Sequence, residues 1–310
     1  MPGIGIITNP HSKLNKRNPS RAALLGFILG AQGQLEVTNS IEDLTRVARD
    51  FKEKGIRILA INGGDGTISR TLTAFIQEYQ SEPLPRIALL RGGTINVLAN
   101  NLGIRGSPEQ VLYRLVEGHS GQGALPWRRL HTLKIEGNYG FLFADGVAPA
   151  FLSEYYQRKS GPLGALILAL RVWVSRLFNG ELFTRIVQDI HHKLLPDVGP
   201  AHMHTSCAVF CSTVGKLPLG YPMFHLLKTY PGTFQCTSMT MPAKDAFWQF
   251  PVILATGQDG EGKGKISFCC HDLLVEQERP FEYTLDGELY LSQSNSLRIK
   301  MGPDLDFLTL

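Results

Sequence analysis

The chain has 310 residues, 43% hydrophobic and 19% charged, with a formal net charge of +4. That composition excludes a disordered chain and allows one large core or two of ordinary size. The mild positive charge would help binding to anionic nucleotides or an acidic membrane surface, and it falls far short of a dedicated nucleic-acid binder. Five cysteines, with Cys269 beside Cys270, fit a reducing compartment better than a disulfide framework. The opening MPGIGIITNP has neither a basic start nor an apolar signal core, so no export signal is expected and the predicted location is cytoplasmic.

In chain order, residues 4–8 form a short apolar strand that ends in Asn9-Pro10. A loop bearing Lys13, Lys16, Arg17 and Arg21 follows. Such a charge run is commonly a solvated face, but its place after a strand end also lets Lys13 or Arg17 reach a phosphate. Helical patterning over 22–29, a strand near 35–37 and a helix over 41–54 lead to ILAINGGDGTISRTLTAFIQEY, residues 58–79. Residues 58–61 read as a buried strand, and Ile68, Leu72, Phe75, Ile76 and Tyr79 recur at helical spacing.

The turn between them carries the chemistry. Gly63, Gly64 and Gly66 are expected to reverse the chain with positive φ and to let backbone amides approach a ligand, while Thr67 caps the following helix. A helix start so exposed is an anion site, most naturally for phosphate. Asp65 would repel that phosphate unless a proton or a divalent cation lies between, and Mg2+ entering with a nucleotide resolves the conflict. The plainer alternative is a tight strand-to-helix turn with Asp65 as a helix-start residue. A strand over 87–90 then ends in RGGTIN (91–96), ahead of a helix over 97–102. Three strand ends would thus meet at the carboxyl edge of a parallel sheet, where such folds bind ligands.

NPHS (9–12), GGDGT (63–67), GGTINVLANNLGI (92–104) and LDGE (285–288) occur in an order and at spacings that resemble the diacylglycerol kinase catalytic domain family, which includes sphingosine kinases and bacterial lipid kinases. The resemblance implies an ATP- and Mg2+-dependent lipid kinase. It makes Asp286 the proton acceptor and Asp65 the second catalytic carboxylate and metal contact. It also puts Asn9, Ser12, Asn62, Gly63, Gly64, Gly66, Thr67, Gly93, Thr94, Asn96 and Glu288 around the nucleotide. The chain departs from the pattern at Val97-Leu98-Ala99-Asn100, where many members have Asp-Phe-Ala-Arg, and again at WRRLHTL and TYPGTFQC. The related NAD kinases share the GGDGT turn, leaving a soluble acceptor as one alternative and a non-catalytic lipid- or nucleotide-binding regulatory protein as another.

An α/β domain with a parallel sheet is therefore expected over 1–126, and a β-rich antiparallel sandwich holding the lipid over 127–294. By the same resemblance, the last strands, about 295–310, return to the first domain. The sandwich strands are read in LHTLKIEGNYGFLFADG, CAVFCSTVG, FQCTSMTM, PVILAT, KISFCC, FEYTL, ELYLS and SLRIKM. Asp286-Gly287 between FEYTL and ELYL is also an ordinary hairpin turn signal. A second DGE at 259–261 reads as a surface turn. The segment 161–180 has too few uninterrupted apolar residues for the roughly 20 a span needs. It is expected to be a helix that packs on the sandwich or rests on the inner membrane face through residues such as Leu168 and Trp173. His202, His204, Cys207 and Cys211 have spacings that zinc could use, although strand alternation explains the cysteines as an interior face. Homodimer assembly is compatible with the sequence.

Overall fold

The structure, a computed structural model, describes residues 3–121, 124–157, 162–177, 180–240, 242 and 264–310. The strand expected at PVILAT and the turn at 259–261 lie outside the described residues. The first half alternates strand and helix: β1 (Ile4–Thr8), α1 (Lys13–Arg17), α2 (Arg21–Leu29), β2 (Gly33–Val37), α3 (Ile41–Glu53), β3 (Ile58–Asn62), α4 (Asp65–Tyr79), β4 (Arg86–Leu89), α5 (Val97–Asn101) and α6 (Pro108–Ser120). β1 and β3 are buried at every position, because helices cover both faces of a parallel sheet. In α3 the buried Leu44, Val47, Ala48 and Phe51 recur every three or four residues, and the Ser40 hydroxyl caps the start by accepting from the Asp43 amide at 3.1 Å. α6 opens with a complete capping box between Ser107 and Gln110.

The second half is β5 (Trp127–Ile135), β6 (Asn138–Gly140), β7 (Leu142–Asp145), α7 (Val147–Gln157), α8 (Pro162–Leu177), α9 (Glu181–Ile186), β8 (Ile190–Pro196), β9 (His202–Ser206), β10 (Ala208–Ser212), β11 (Phe234–Met239), β12 (Lys265–Cys270), β13 (Asp272–Gln277), β14 (Glu282–Leu285), β15 (Glu288–Leu291) and β16 (Ser296–Leu308). β16 pairs in parallel with β4 at Phe307 and Ile87, and antiparallel with β5 and β13. One sheet therefore runs β2-β1-β3-β4-β16-β13-β8-β9, with β5 and β6 attached through β16. The second sheet, β12-β11-β10-β7-β14-β15, is antiparallel throughout.

The fold is thus an α/β layer joined to a β-rich sandwich, and the sandwich takes one wall from the sheet that begins in the α/β half. Leu133, Ile135, Leu194, Leu273, Val275 and Ile299 of the long sheet share a core with Phe143, Val209, Phe234, Tyr283 and Leu285 of the short one. Three strands, β8, β9 and β13, escape a reading by hydrophobic runs. IHHKLLP and HMHTS alternate histidine, lysine and threonine with apolar residues, and it is pairing to neighbours that makes them strands.

The candidate zinc residues are spent on packing. Cys211 lies in the sandwich core, where burial pushes its thiol well up, and His202 stacks on Phe268 at 5.0 Å between ring centroids. The His204 Nε2 meets the Ser238 hydroxyl at 2.7 Å. Among the described residues, no three His, Cys, Asp or Glu side chains could hold a metal.

α7, α8 and α9 form a helical layer of their own, in which Leu168 and Val172 pack against Phe183 and Ile186. Leu168, a membrane contact in one of the two readings of this helix, is only 1% exposed; the exposed stripe of α8 is Ile167, Leu170 and Val174, at 54%, 59% and 42%. A period of 3.6 decides this, because Leu168 and Val172 share one face and the stripe lies on another. No helix among the described residues is long and apolar enough to cross a membrane.

Candidate active site

The two glycine turns meet at the carboxyl ends of β3 and β4. A Cβ on Gly93 would stand 2.4 Å from the Gly64 Cα, and one on Gly92 would stand 2.4 Å from Asn62 Oδ1 and 2.8 Å from the Gly63 amide nitrogen. The expectation of positive φ fails. Gly63, Gly64 and Gly66 are absent from the left-handed region; atoms crowd the place of a side chain at Gly63 and Gly66, while a Cβ on Gly64 would meet the Gly93 Cα at an ordinary 3.4 Å. The cap expected from Thr67 fails as well, since the helix starts two residues earlier with Gly64 as its N-cap. Thr67 instead accepts a hydrogen bond from Asn9 Nδ2 at 2.8 Å, which ties the end of β1 to the first turn of α4.

Asn15, unremarked in the sequence, stitches the same edge. Its Nδ2 donates to the carbonyls of Asn9 at 2.8 Å and Asn62 at 3.3 Å. Lys13, Lys16 and Arg17 are exposed on α1.

Asp65 bridges the turns. Its Oδ1 accepts from the Leu98 amide at 3.4 Å, and the amides of Asn96 and Val97 also lower its pKa, so the carboxylate faces the start of α5. Burial nevertheless dominates and raises its pKa above the ordinary value. The repulsion expected between Asp65 and a phosphate therefore has an answer within the chain, in the amides that lead into α5. Asn96 adopts a left-handed conformation at φ 52°, and its side chain closes the RGGTIN turn through Gly93, accepting from the amide at 3.1 Å and donating to the carbonyl at 2.8 Å. Thr94 is exposed beside it.

Asp286 reaches this place from the other half of the chain. β14 and β15 pair from Leu285 and Glu288, leaving Asp286 and Gly287 as a two-residue turn with φ of 51° and 84°. This is the type I′ geometry that Asp-Gly favours. The Asp286 carboxylate accepts from the amides of Phe141 at 3.1 Å and Leu142 at 2.9 Å, and its Oδ2 lies 2.6 Å from where a Cβ on Gly140 would be. Burial, aided by the negative charge of Asp65, pushes its pKa up to about 7 against the pull of the two amides. The charge of Asp65 thus reaches Asp286, 221 positions away in the chain. Glu288 joins them. Its Oε1 lies 1.8 Å from the place of a Gly66 Cβ, and its other oxygen pairs with Arg70 of α4.

Residues 4–125 match the family model of the diacylglycerol kinase catalytic domain. Over 105 residues it is 29% identical to proteins of Shigella flexneri and Escherichia coli O157:H7 named probable lipid kinase YegS, a match covering 33% of this chain and 34% of each relative. The aligned stretch thus spans about a third of the length of these curated relatives. A diacylglycerol kinase structure from Bacillus anthracis str. Sterne superposes with a TM-score of 0.67 at 15% identity, over 99% of this chain and 96% of that one. An NAD kinase from Archaeoglobus fulgidus in complex with ATP gives 0.50 at 12% identity, over 98% and 93%. At these identities the likeness is one of fold.

Of the residues that the diacylglycerol kinase resemblance puts at the nucleotide, Asn62, Gly63, Gly64, Gly66, Thr67, Gly93, Asn96 and Glu288 gather around the two turns, with Asn9 and Ser12 behind them. Both ends of the Asn9 amide group are engaged, with Thr67 and with the His11 amide, so Asn9 serves as a tie. The Ser12 hydroxyl and Asn62 Oδ1 are buried without a hydrogen-bond partner. The Ser12 hydroxyl, an unpartnered donor beside a Cβ-free cradle, fits a phosphate-bearing ligand, whereas Asn62 Oδ1 is an acceptor and suits a donor. For a metal the donor set is thinner: Asp65 is the carboxylate at the turns, which suits a Mg2+ that keeps water and phosphate oxygens as its other ligands.

Sequence reasoning missed Arg70, Ser69, Tyr156 and the amides of Phe141 and Leu142. Arg70 and Ser69 lie within a turn of Gly66, so helical spacing could have found them. Backbone amides and a tyrosine 130 residues from Asp286 leave no local signal.

Proposed function

We propose that the protein is an ATP-dependent lipid kinase that transfers a phosphoryl group to a hydroxyl of diacylglycerol, a sphingoid base or a related lipid. The observation that carries this reading is the Asp286 carboxylate, seated on the Phe141 and Leu142 amides within the field of Asp65 and facing the glycine turns. ATP with Mg2+ supplies the phosphoryl group and neutralises part of its charge. The chain's own residues do the rest. Amides of the Gly63-Gly64 turn and the first turn of α4 would bind phosphate oxygens, and Asp65 would hold the metal that accompanies them. Asp286 accepts the proton of the attacking hydroxyl, and a pKa of about 7 lets it take that proton and return it to solvent near neutral pH.

The acceptor is drawn from a membrane surface. Ile167, Leu170 and Val174 make an exposed apolar stripe on α8 that also carries the exposed Arg171. From 147 to 187 the sequence has five basic residues (Arg158, Lys159, Arg171, Arg176, Arg185) against Glu154 and Glu181, which suits a bilayer containing anionic lipid. α7, which packs beside α8, also packs against β14 and β15, so this layer borders the hairpin that carries Asp286.

The deciding experiment incubates purified protein with γ-labelled ATP, Mg2+ and a mixed lipid extract, with NAD in a parallel tube. Labelled lipid is expected. Label in NAD alone, or nucleotide binding with no transfer to either, overturns the lipid kinase reading.

A further inference from the structure

Three consecutive residues at the tip of the β14–β15 hairpin are held by three different elements. Asp286 rests on the amides at the junction of β6 and β7. The Gly287 carbonyl accepts a hydrogen bond from the Tyr156 hydroxyl at 2.8 Å, reaching across from the last turn of α7. Glu288 pairs with Arg70 of α4 and is pressed against Gly66. Burial raises the pKa of Tyr156, and the nearby Glu288 and Asp65 raise it further.

Neither of the two side-chain clamps is a strong stabiliser. Tyr156 is 49% exposed, and the Arg70 and Glu288 side chains are 51% and 32% exposed. Hydrogen bonds and ion pairs in such wet positions contribute little to folding. What they do control is where a left-handed aspartate at a hairpin tip can go. We propose that Tyr156 and Arg70 are positioning residues that lock the hairpin tip against α4 and α7 and so fix the Asp286 carboxylate facing the glycine turns. The proposal rests on the kinase reading only for its consequence, the rate of transfer. The groups facing Asp286 are Asp65 and the Ser69 hydroxyl from α4 and Tyr290 from β15, while Tyr156 and Arg70 reach the tip through Gly287 and Glu288.

The test uses the full chain as Tyr156→Phe, Arg70→Met and Arg70→Lys. Thermal unfolding, kcat and KM for the lipid, and the titration of Asp286 by carboxyl 13C NMR are followed in each. Tyr156→Phe and Arg70→Met are expected to unfold at the wild-type temperature, to lose ten- to hundred-fold in kcat at little cost in KM, and to shift the Asp286 midpoint, with Arg70→Lys recovering most of the loss. An unchanged midpoint and kcat, or a loss that merely follows a lower unfolding temperature, overturns the proposal. Should the wild type transfer no phosphate, the kinase reading falls, and the Asp286 titration alone still decides whether Tyr156 and Arg70 hold the carboxylate.

Discussion

The glycine turns and the hairpin tip face each other across the site but are built by opposite means. The turns are close-packed backbone: glycines touch glycines, and carboxamides of Asn9, Asn15 and Asn96 tie the strand ends together. Little can change there without displacing main chain. The tip is a single left-handed aspartate held by side chains from elements far away in sequence. One side of the site is therefore rigid by steric contact and the other by tethering. Substitutions should hurt stability in the first and function in the second.

The largest expected effect is functional. Asp286→Asn keeps the shape and the left-handed preference but removes the proton acceptor, so lipid phosphorylation should fall by roughly 10²–10⁴-fold while the protein stays folded. Near-wild-type turnover would break the comparison. Next is Gly93→Ala, which forces a Cβ to within 2.4 Å of the Gly64 Cα. Backbone cannot yield as a side-chain end can, and a loss of about 1–3 kcal/mol is expected by denaturant unfolding, together with weaker nucleotide binding.

The pH dependence sharpens the difference between the two sides. Asp286 has a folded pKa of about 7, above its ordinary 3.8, so between those values the unfolded chain has released a proton that the folded chain keeps. Stability from this group is present at low pH and lost as pH rises toward 7. Asp286→Asn should accordingly unfold at a higher temperature than wild type at pH 8, with the gap narrowing by pH 5. Activity runs the other way, because only the ionised form accepts a proton, and kcat/KM should decline as pH falls below about 7. A wild-type profile flat from pH 5 to 8 would remove Asp286 from the role of base.

The smallest effect is at the periphery. Replacing Ile167, Leu170 and Val174 together by serine should weaken binding to vesicles containing phosphatidylglycerol and leave the unfolding temperature within a degree or two, since these side chains are exposed. Equal binding by the variant would detach α8 from the membrane.

Much of the α/β half was legible because its signals are local. Apolar strands of four or five residues, helices with period 3.6, and glycine after β3 and β4 marked most elements of residues 4–120, whereas α1 lies in a stretch read as a charged loop. The second half was legible in outline only. β8, β9 and β13 carry mixed side chains and owe their conformation to neighbours distant in sequence, and the sequence left open whether Leu168 packs inward or meets a membrane. At the site, the identity of Asp65 and Asp286 could be read from motif and resemblance. The reason for the glycines could not, because a steric demand is invisible until the second backbone is in place.

The sequence by itself determined the strand-turn-helix units, the anion-binding character of their turns and the Asp-Gly hairpin, since each depends on interactions within about twenty residues. Tertiary structure alone decided that β16 joins the two halves in one sheet, that Asp65 is held by the amides leading into α5, and that Tyr156 and Arg70 converge on the tip that carries Asp286. Those contacts link residues from 33 to 220 positions apart, where side-chain identity constrains local conformation but leaves the choice of partner to the packing of the whole chain.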